Sequence, residues 1–195
     1  MSEMKSAWER AMEKVEKLGK PTEDELKQLE YVPTGNRLAA EFIQNQDFNL
    51  DAELTKYKGT GSRKFVLQGA EETFLRNIML PRNEAAKNAI RRAMAGLRAI
   101  KENKKQLESI FDRVNNLISY YEQALQQAYT QFRQDFETKM KSAAQNLQRQ
   151  PQNMAAFEAQ VQAQFQEEWR RVSGQLDAQY QKALEEHKQQ IMKIA

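Results

Sequence analysis

The sequence has no cysteine, only seven glycines and four prolines in 195 residues, and a single histidine. Without cysteine there are no disulfides, no thiolate zinc sites and no cysteine nucleophile. Such a chain suits a reducing compartment. With one histidine, His187, there is no multi-histidine metal site and no histidine-based triad beyond that residue. The string Leu184-Glu185-Glu186-His187 lacks the Glu three residues before His that a di-iron helix requires. No serine sits in a catalytic motif. The scarcity of glycine and proline means few turns, and therefore long regular elements.

Long apolar runs are missing too. None approaches the ~18–20 residues of a membrane span. The N-terminus interleaves Glu3, Glu9, Glu13 and Glu16 with Lys5, Arg10, Lys14 and Lys17, so it has no signal-peptide core. A cytoplasmic location is the expectation. Gly59-Thr60-Gly61-Ser62-Arg63-Lys64 lacks the spacing of a phosphate-binding P-loop and reads as a flexible linker.

What is present is helical periodicity. Hydrophobic residues are 40% and charged residues 29% of the chain. Residues 2–18 place Ala7, Trp8, Ala11, Met12, Val15 and Leu18 at steps of three and four, an amphipathic helix. Gly19-Lys20-Pro21 ends it. Thr22 and Glu25 form a capping-box pattern at the start of a short helix over 23–30. Pro33-Thr34-Gly35 predicts a break, followed by a helix around Leu38 to Ile43 and a shorter one capped by Asn49. Residues 63–79 fit helical better than strand spacing, and Pro81 closes them.

From Asn83 to Arg149 there is no proline and only Gly96, which predicts one long helix. Its apolar positions run Ile90, Met94, Leu97, Ile100, Leu107, Phe111, Val114, Ile118, Tyr121, Leu125 and Ala128. Lys104 is the polar exception in this heptad seam. Beyond Ala128 the steps lengthen to Phe132, Phe136 and Met140, a stutter that unwinds a supercoil. Gln150-Pro151-Gln152-Asn153 predicts a turn. The final helix aligns Met154, Phe157, Val161, Phe165, Trp169, Val172, Leu176, Tyr180, Ala183, His187, Ile191 and Ile194 at about the natural 3.6-residue period.

The expected architecture is therefore all-α. Residues 1–105 form a small helical head that includes the start of the long helix. Residues 106–195 form a two-helix antiparallel coiled-coil stalk with its turn near 150–153. Pairing back from that turn, the second arm reaches the first only to about residue 106.

Charge is unevenly spread. Residues 1–80 carry 12 basic and 14 acidic side chains, residues 81–150 carry 13 and 7, and residues 151–195 carry 5 and 6. On a continuous helix Lys87, Arg91, Arg98, Lys101 and Lys105 fall within about 80° of arc. Arg82, Arg92 and Lys104 lie near them. Such a stripe suits phosphates, an acidic protein or an anionic membrane surface. The plainer reading is a solvated helix face paired with the acidic head. No aromatic residue interleaves the stripe, so base stacking is not expected there. The distal arms are rich in glutamine, 18 of the 75 residues from Tyr121 onward. Glutamine keeps a helix wet without charge and permits a second hairpin to pack alongside.

Three strings, Lys5-Ser6-Ala7-Trp8-Glu9, Gly35-Asn36-Arg37-Leu38-Ala39-Ala40-Glu41-Phe42 and Asn77-Ile78-Met79-Leu80-Pro81, resemble an uncharacterised bacterial helical family. The likeness covers residues 5–81. It implies a helical protein of bacterial cytoplasmic origin and no catalytic residues.

The functional expectation is a non-enzymatic interaction or scaffold protein. It binds a protein partner, or a second copy of itself, through the stalk. The alternatives are a nucleic-acid or ribosome-associated factor using the basic stripe, and a holdase-like chaperone.

Overall fold

The computed structural model describes residues 21–147 and 154–195, with side chains for 21–142 and 159–195. The helix expected over 2–18 and the turn expected at 150–153 lie outside the described residues. Every described element is a helix: α1 Glu23–Gln44, α2 Leu50–Thr55, α3 Arg63–Asn77, α4 Glu84–Ile100, α5 Lys104–Leu147 and α6 Met154–Met192. The all-α expectation holds. The chain divides into two compact units at Phe74/Leu75, within the last turns of α3.

In the first unit, α1 starts as its sequence predicts. The Thr22 hydroxyl accepts from the Glu25 backbone N–H at 3.2 Å, and the Glu25 carboxylate accepts from the Thr22 N–H at 2.7 Å. This reciprocal cap satisfies two orphan donors. The predicted break at Pro33-Thr34-Gly35 does not occur; α1 runs through it to Gln44. Proline inside a helix costs about 3 kcal/mol and glycine about 1 kcal/mol relative to alanine. Tertiary packing offsets that cost. A Cβ on Gly35 would collide with the Val66 carbonyl oxygen and lie 2.8 Å from the Ala70 nitrogen. A Cβ on Gly69 would in turn strike the Val32 carbonyl. So α1 and α3 cross backbone to backbone, each contributing a glycine to the contact.

Around this crossing Leu38, Ala39, Val66, Ala70 and Phe74 are fully buried, and Phe42 meets Phe74 edge-on at 6.0 Å. Thr73 donates to the Asn36 side chain at 3.0 Å. The Asn49 side chain caps α2 by accepting from the Ala52 N–H at 3.0 Å. Arg63 donates back to the Leu54 carbonyl at 2.9 Å, which satisfies one C-terminal acceptor of that short helix. Gly59, at φ +79°, makes the left-handed turn into α3.

In the second unit the Asn83 side chain caps α4 by accepting from the Ala86 N–H at 2.8 Å. α4 buries Ile90, Ala93, Met94, Gly96 and Leu97. The single helix expected from Asn83 to Arg149 is broken at Lys101-Glu102-Asn103. Lys101 is extended, with ψ 143°. Asn103 then caps α5, accepting from the Gln106 N–H at 3.1 Å while its amide reaches the Gln106 side chain at 3.2 Å.

The end of α6 ties this corner. The buried Lys101 ammonium donates to the Ile194 carbonyl at 2.6 Å, and the Ala195 carbonyl accepts from the N–H groups of Glu102 at 2.9 Å and Asn103 at 3.4 Å. Lys104, the polar residue in the expected seam, donates to the carbonyls of Arg98 and Lys101. It closes the C-terminus of α4 and does not interrupt a helix interface.

α5 and α6 run antiparallel. Phe136 meets Phe165 at 5.1 Å, Tyr129 meets Trp169 at 5.1 Å, and Tyr121 meets Tyr180 at 5.4 Å. Ala195, beyond the end of α6, meets the backbone of residues 102–103 just before α5 begins.

The glycine crossing has a measurable sign. On helix propensity alone, Gly35→Ala gains about 1 kcal/mol. Because the new methyl meets backbone, Gly35→Ala should instead lose about 1–3 kcal/mol by overpacking. A lowered urea midpoint is expected; an unchanged or raised midpoint would refute the close crossing.

Candidate interaction site on the helical pair

The five stripe residues are not presented as one surface. With α4 and α5 separate helices, Lys87, Arg91 and Arg98 keep a common face of α4, while Lys101 and Lys105 lie beyond its end and leave the arc. Lys87 lies between two carboxylates, Glu84 at 3.0 Å and Glu122 at 2.7 Å, whose hydrogen bonds raise its pKa, Glu122 foremost. Arg91 lies 3.8 Å from Glu84. Arg98 makes a two-pronged contact with Glu108, at 2.5 and 2.8 Å, and stacks on the Phe111 ring at 4.9 Å. That contact lowers the Glu108 pKa. Lys101 is buried. Lys105 is exposed on α5. The structure thus brings Lys87, Arg98 and Lys101 into contacts within the fold.

A different constellation joins α5 and α6. Asp177 accepts from the Tyr121 hydroxyl at 2.8 Å and pairs with Arg82, the residue after Pro81. Burial and the bond to Asp177 push the Tyr121 phenol up to about 12. Arg82 and Asp177 lie 95 positions apart. Neither has a local motif, so nothing in the sequence marks them as partners.

Beside this network an open cleft of about 480 Å³ is lined by Arg82, Lys87, Glu122, Gln126, Tyr129 and Trp169, with others. One wall is charged and already paired; the other is aromatic. That wall continues along the pair. Phe132 meets Phe165 at 5.0 Å and Trp169 at 5.6 Å, and Phe136 meets Phe132 at 5.9 Å. Five rings therefore form one cluster.

Only Phe136 of the five is buried; Phe132, Phe165 and Trp169 are half-buried, and Tyr129 is 37% exposed. Periodicity marked Phe132, Phe136, Phe165 and Trp169 as seam residues. Tyr129 lies one position past the seam residue Ala128, so the apolar period does not mark it. Two helices share one line of contact, so large rings overhang it on both sides. Tyr120, 63% exposed, adds a further open ring nearer α4.

His187 is half-buried on α6; burial, and after it the charge of Arg113, lowers its pKa. Among the described residues no three His, Cys, Asp or Glu side chains are grouped to hold a metal ion. No described helix is long and apolar enough to cross a membrane.

A model of a family of unknown function, DUF6657, matches residues 51–193. The matched stretch takes in α2 from its second residue and all of α3 to α6. No curated protein and no solved structure matches the chain.

The Tyr121–Asp177 bond can be tested directly. Tyr121→Phe should cost about 0.5–1.5 kcal/mol in chemical denaturation, the usual net worth of such a bond. Because the folded phenol titrates above its unfolded value, its contribution is full below pH ~10 and lost as pH rises through about 12. Alkaline titration followed by tyrosinate absorbance should show a tyrosine ionising near 12 that is lost in Tyr121→Phe.

Proposed function

We propose that this chain, which belongs to the DUF6657 family, is a non-enzymatic interaction protein that binds a protein partner, or a second copy of itself, through the aromatic half of the α5–α6 pair. In this reading the pair acts as a coiled-coil stalk. The half-exposed cluster of Tyr129, Phe132, Phe165 and Trp169 carries the proposal. Aromatic rings presented on rigid helices offer large contact area at small entropic cost, which is why Tyr, Trp and Phe concentrate in protein interfaces. The surrounding exposed side chains, including Gln126, Gln131, Gln134 and the Arg133–Glu137 pair, form a polar rim.

The nucleic-acid reading is less supported. It asks Lys87 and Arg98 to give up carboxylates they already hold for phosphates. Arg91 and Lys105 are the stripe residues that could be reversed in charge with least effect on the fold. If their reversal abolishes a steeply salt-dependent binding to nucleic acid, that reading replaces ours.

Tyr129→Glu tests the main proposal, because the side chain is exposed enough to change without emptying the core. Recovery of protein partners from nuclease-treated native extract, and self-association measured by sedimentation of the purified chain, should show at least one interaction in the parent. Tyr129→Glu should remove it while helicity is unchanged. Equal interaction by both proteins, or recovery that vanishes with nuclease, would overturn the proposal.

A further inference from the structure

His187 is the chain's only histidine, and with no cysteine present it is the only side chain that ordinarily titrates near neutral pH. It stands on α6 between Leu184, one turn before, and Ile191, one turn after, both fully buried. Its Nδ1 is buried and has no hydrogen-bond partner among the described residues. A neutral ring can place its one proton on Nε2 and leave Nδ1 bare. A charged ring cannot, because it carries a proton at both nitrogens. Protonation therefore creates a buried donor with nothing to donate to, which is the costly kind of polar group.

The charges around the ring oppose protonation on balance. Arg113 of α5, whose side chain also donates to the Ser109 carbonyl at 3.3 Å, acts on the ring with a like charge. On α6 itself Glu186 and a hydrogen bond with Gln190 favour the charged ring, but by less than burial and Arg113 together disfavour it. Lys188, the next residue, pairs with Glu185 at 3.7 Å. Among the described residues no side chain of α4 acts on the ring.

The turns that follow the ring close the corner between α4 and α5. The Ile194 N–H donates to the Ile191 carbonyl at 3.0 Å, the Ile194 carbonyl accepts from the Lys101 ammonium, and the Ala195 carbonyl accepts from the Glu102 N–H. Ile191 and Ile194 are both buried, so a shift of α6 at His187 carries these acceptors with it.

We propose that His187 is an acid-sensitive latch: protonation of its ring loosens the last turns of α6 and frees the Lys101–Asn103 corner that they close. Because the seated ring's pKa is held below the ~6.5 of a free ring, the released state binds the proton more tightly. The latch is fully closed above ~6.5 and is lost as pH falls through the lower, folded value. It operates apart from the aromatic cluster, which lies farther along the pair.

A single histidine makes the titration readable in the full chain by proton magnetic resonance. The imidazole resonance should titrate below ~6.5. Over the same range the protection of the Glu102 amide against hydrogen exchange, corrected for the intrinsic rate, should fall several-fold. In His187→Gln, whose side chain stays neutral, that protection should not change. Arg113→Gln should move the ring's midpoint upward and shrink the loss at Glu102. A ring titrating at or above ~6.5 would overturn the latch. Protection at Glu102 that holds in the parent, or that falls equally in His187→Gln, would overturn it as well. Should His187→Gln fail to fold, the exposed Arg113→Gln variant decides, and an unmoved midpoint there counts against the proposal.

Discussion

Two helices packed side by side share a single line of contact, and most of the second unit follows from that constraint. Each helix can hide one stripe against its partner, and large side chains on the stripe remain open at its flanks. Where a third helix is present the problem is solved. α4 packs on the early turns of α5, and Leu107, Ile110, Phe111, Val114 and Tyr121 are fully buried there. Further along, aromatic rings cover one another in pairs, and all but Phe136 stay partly open. The half-exposed rings are what the proposed interaction uses.

The placement of α4 depends on the corner at Lys101–Asn103. Turning the chain there lets α4 lie back on α5; a continuous helix would carry Ile90, Met94 and Leu97 away from it. The corner draws one charged side chain, Lys101, into a buried position, where an unsatisfied group costs about 1–3 kcal/mol. That group and its neighbours have partners. Lys101 donates to the Ile194 carbonyl, Lys104 to the last carbonyls of α4, and the Glu102 and Asn103 N–H groups to Ala195. The end of α6 therefore closes a turn almost a hundred residues earlier in sequence.

The same corner takes Lys101 and Lys105 out of the stripe expected on a continuous helix. Lys101 is drawn inside, and Lys87 and Arg98 meet Glu122 and Glu108 across the α4–α5 contact. A run of cations on one helix face looks like an anion site only until the neighbouring helix supplies the carboxylates. Tyr129, an aromatic residue one step off the expected seam, stands in the cleft wall.

Much of the fold was legible because it rests on local chemistry. The caps at Thr22–Glu25 and Asn49 need only residues three apart. The apolar steps of α5 and α6 mark both stretches as helical without reference to anything distant. Two features were decided by tertiary structure alone. Pro33 and Gly35 carry every local sign of a break, yet α1 continues, because the glycine lets the α3 backbone approach closely enough to repay the lost helix energy. Lys101-Glu102-Asn103 carries few such signs, yet the chain turns, because the carbonyls at the end of α6 satisfy the groups the turn exposes. Local sequence determined where helices are possible; contacts between distant backbones determined where they stop.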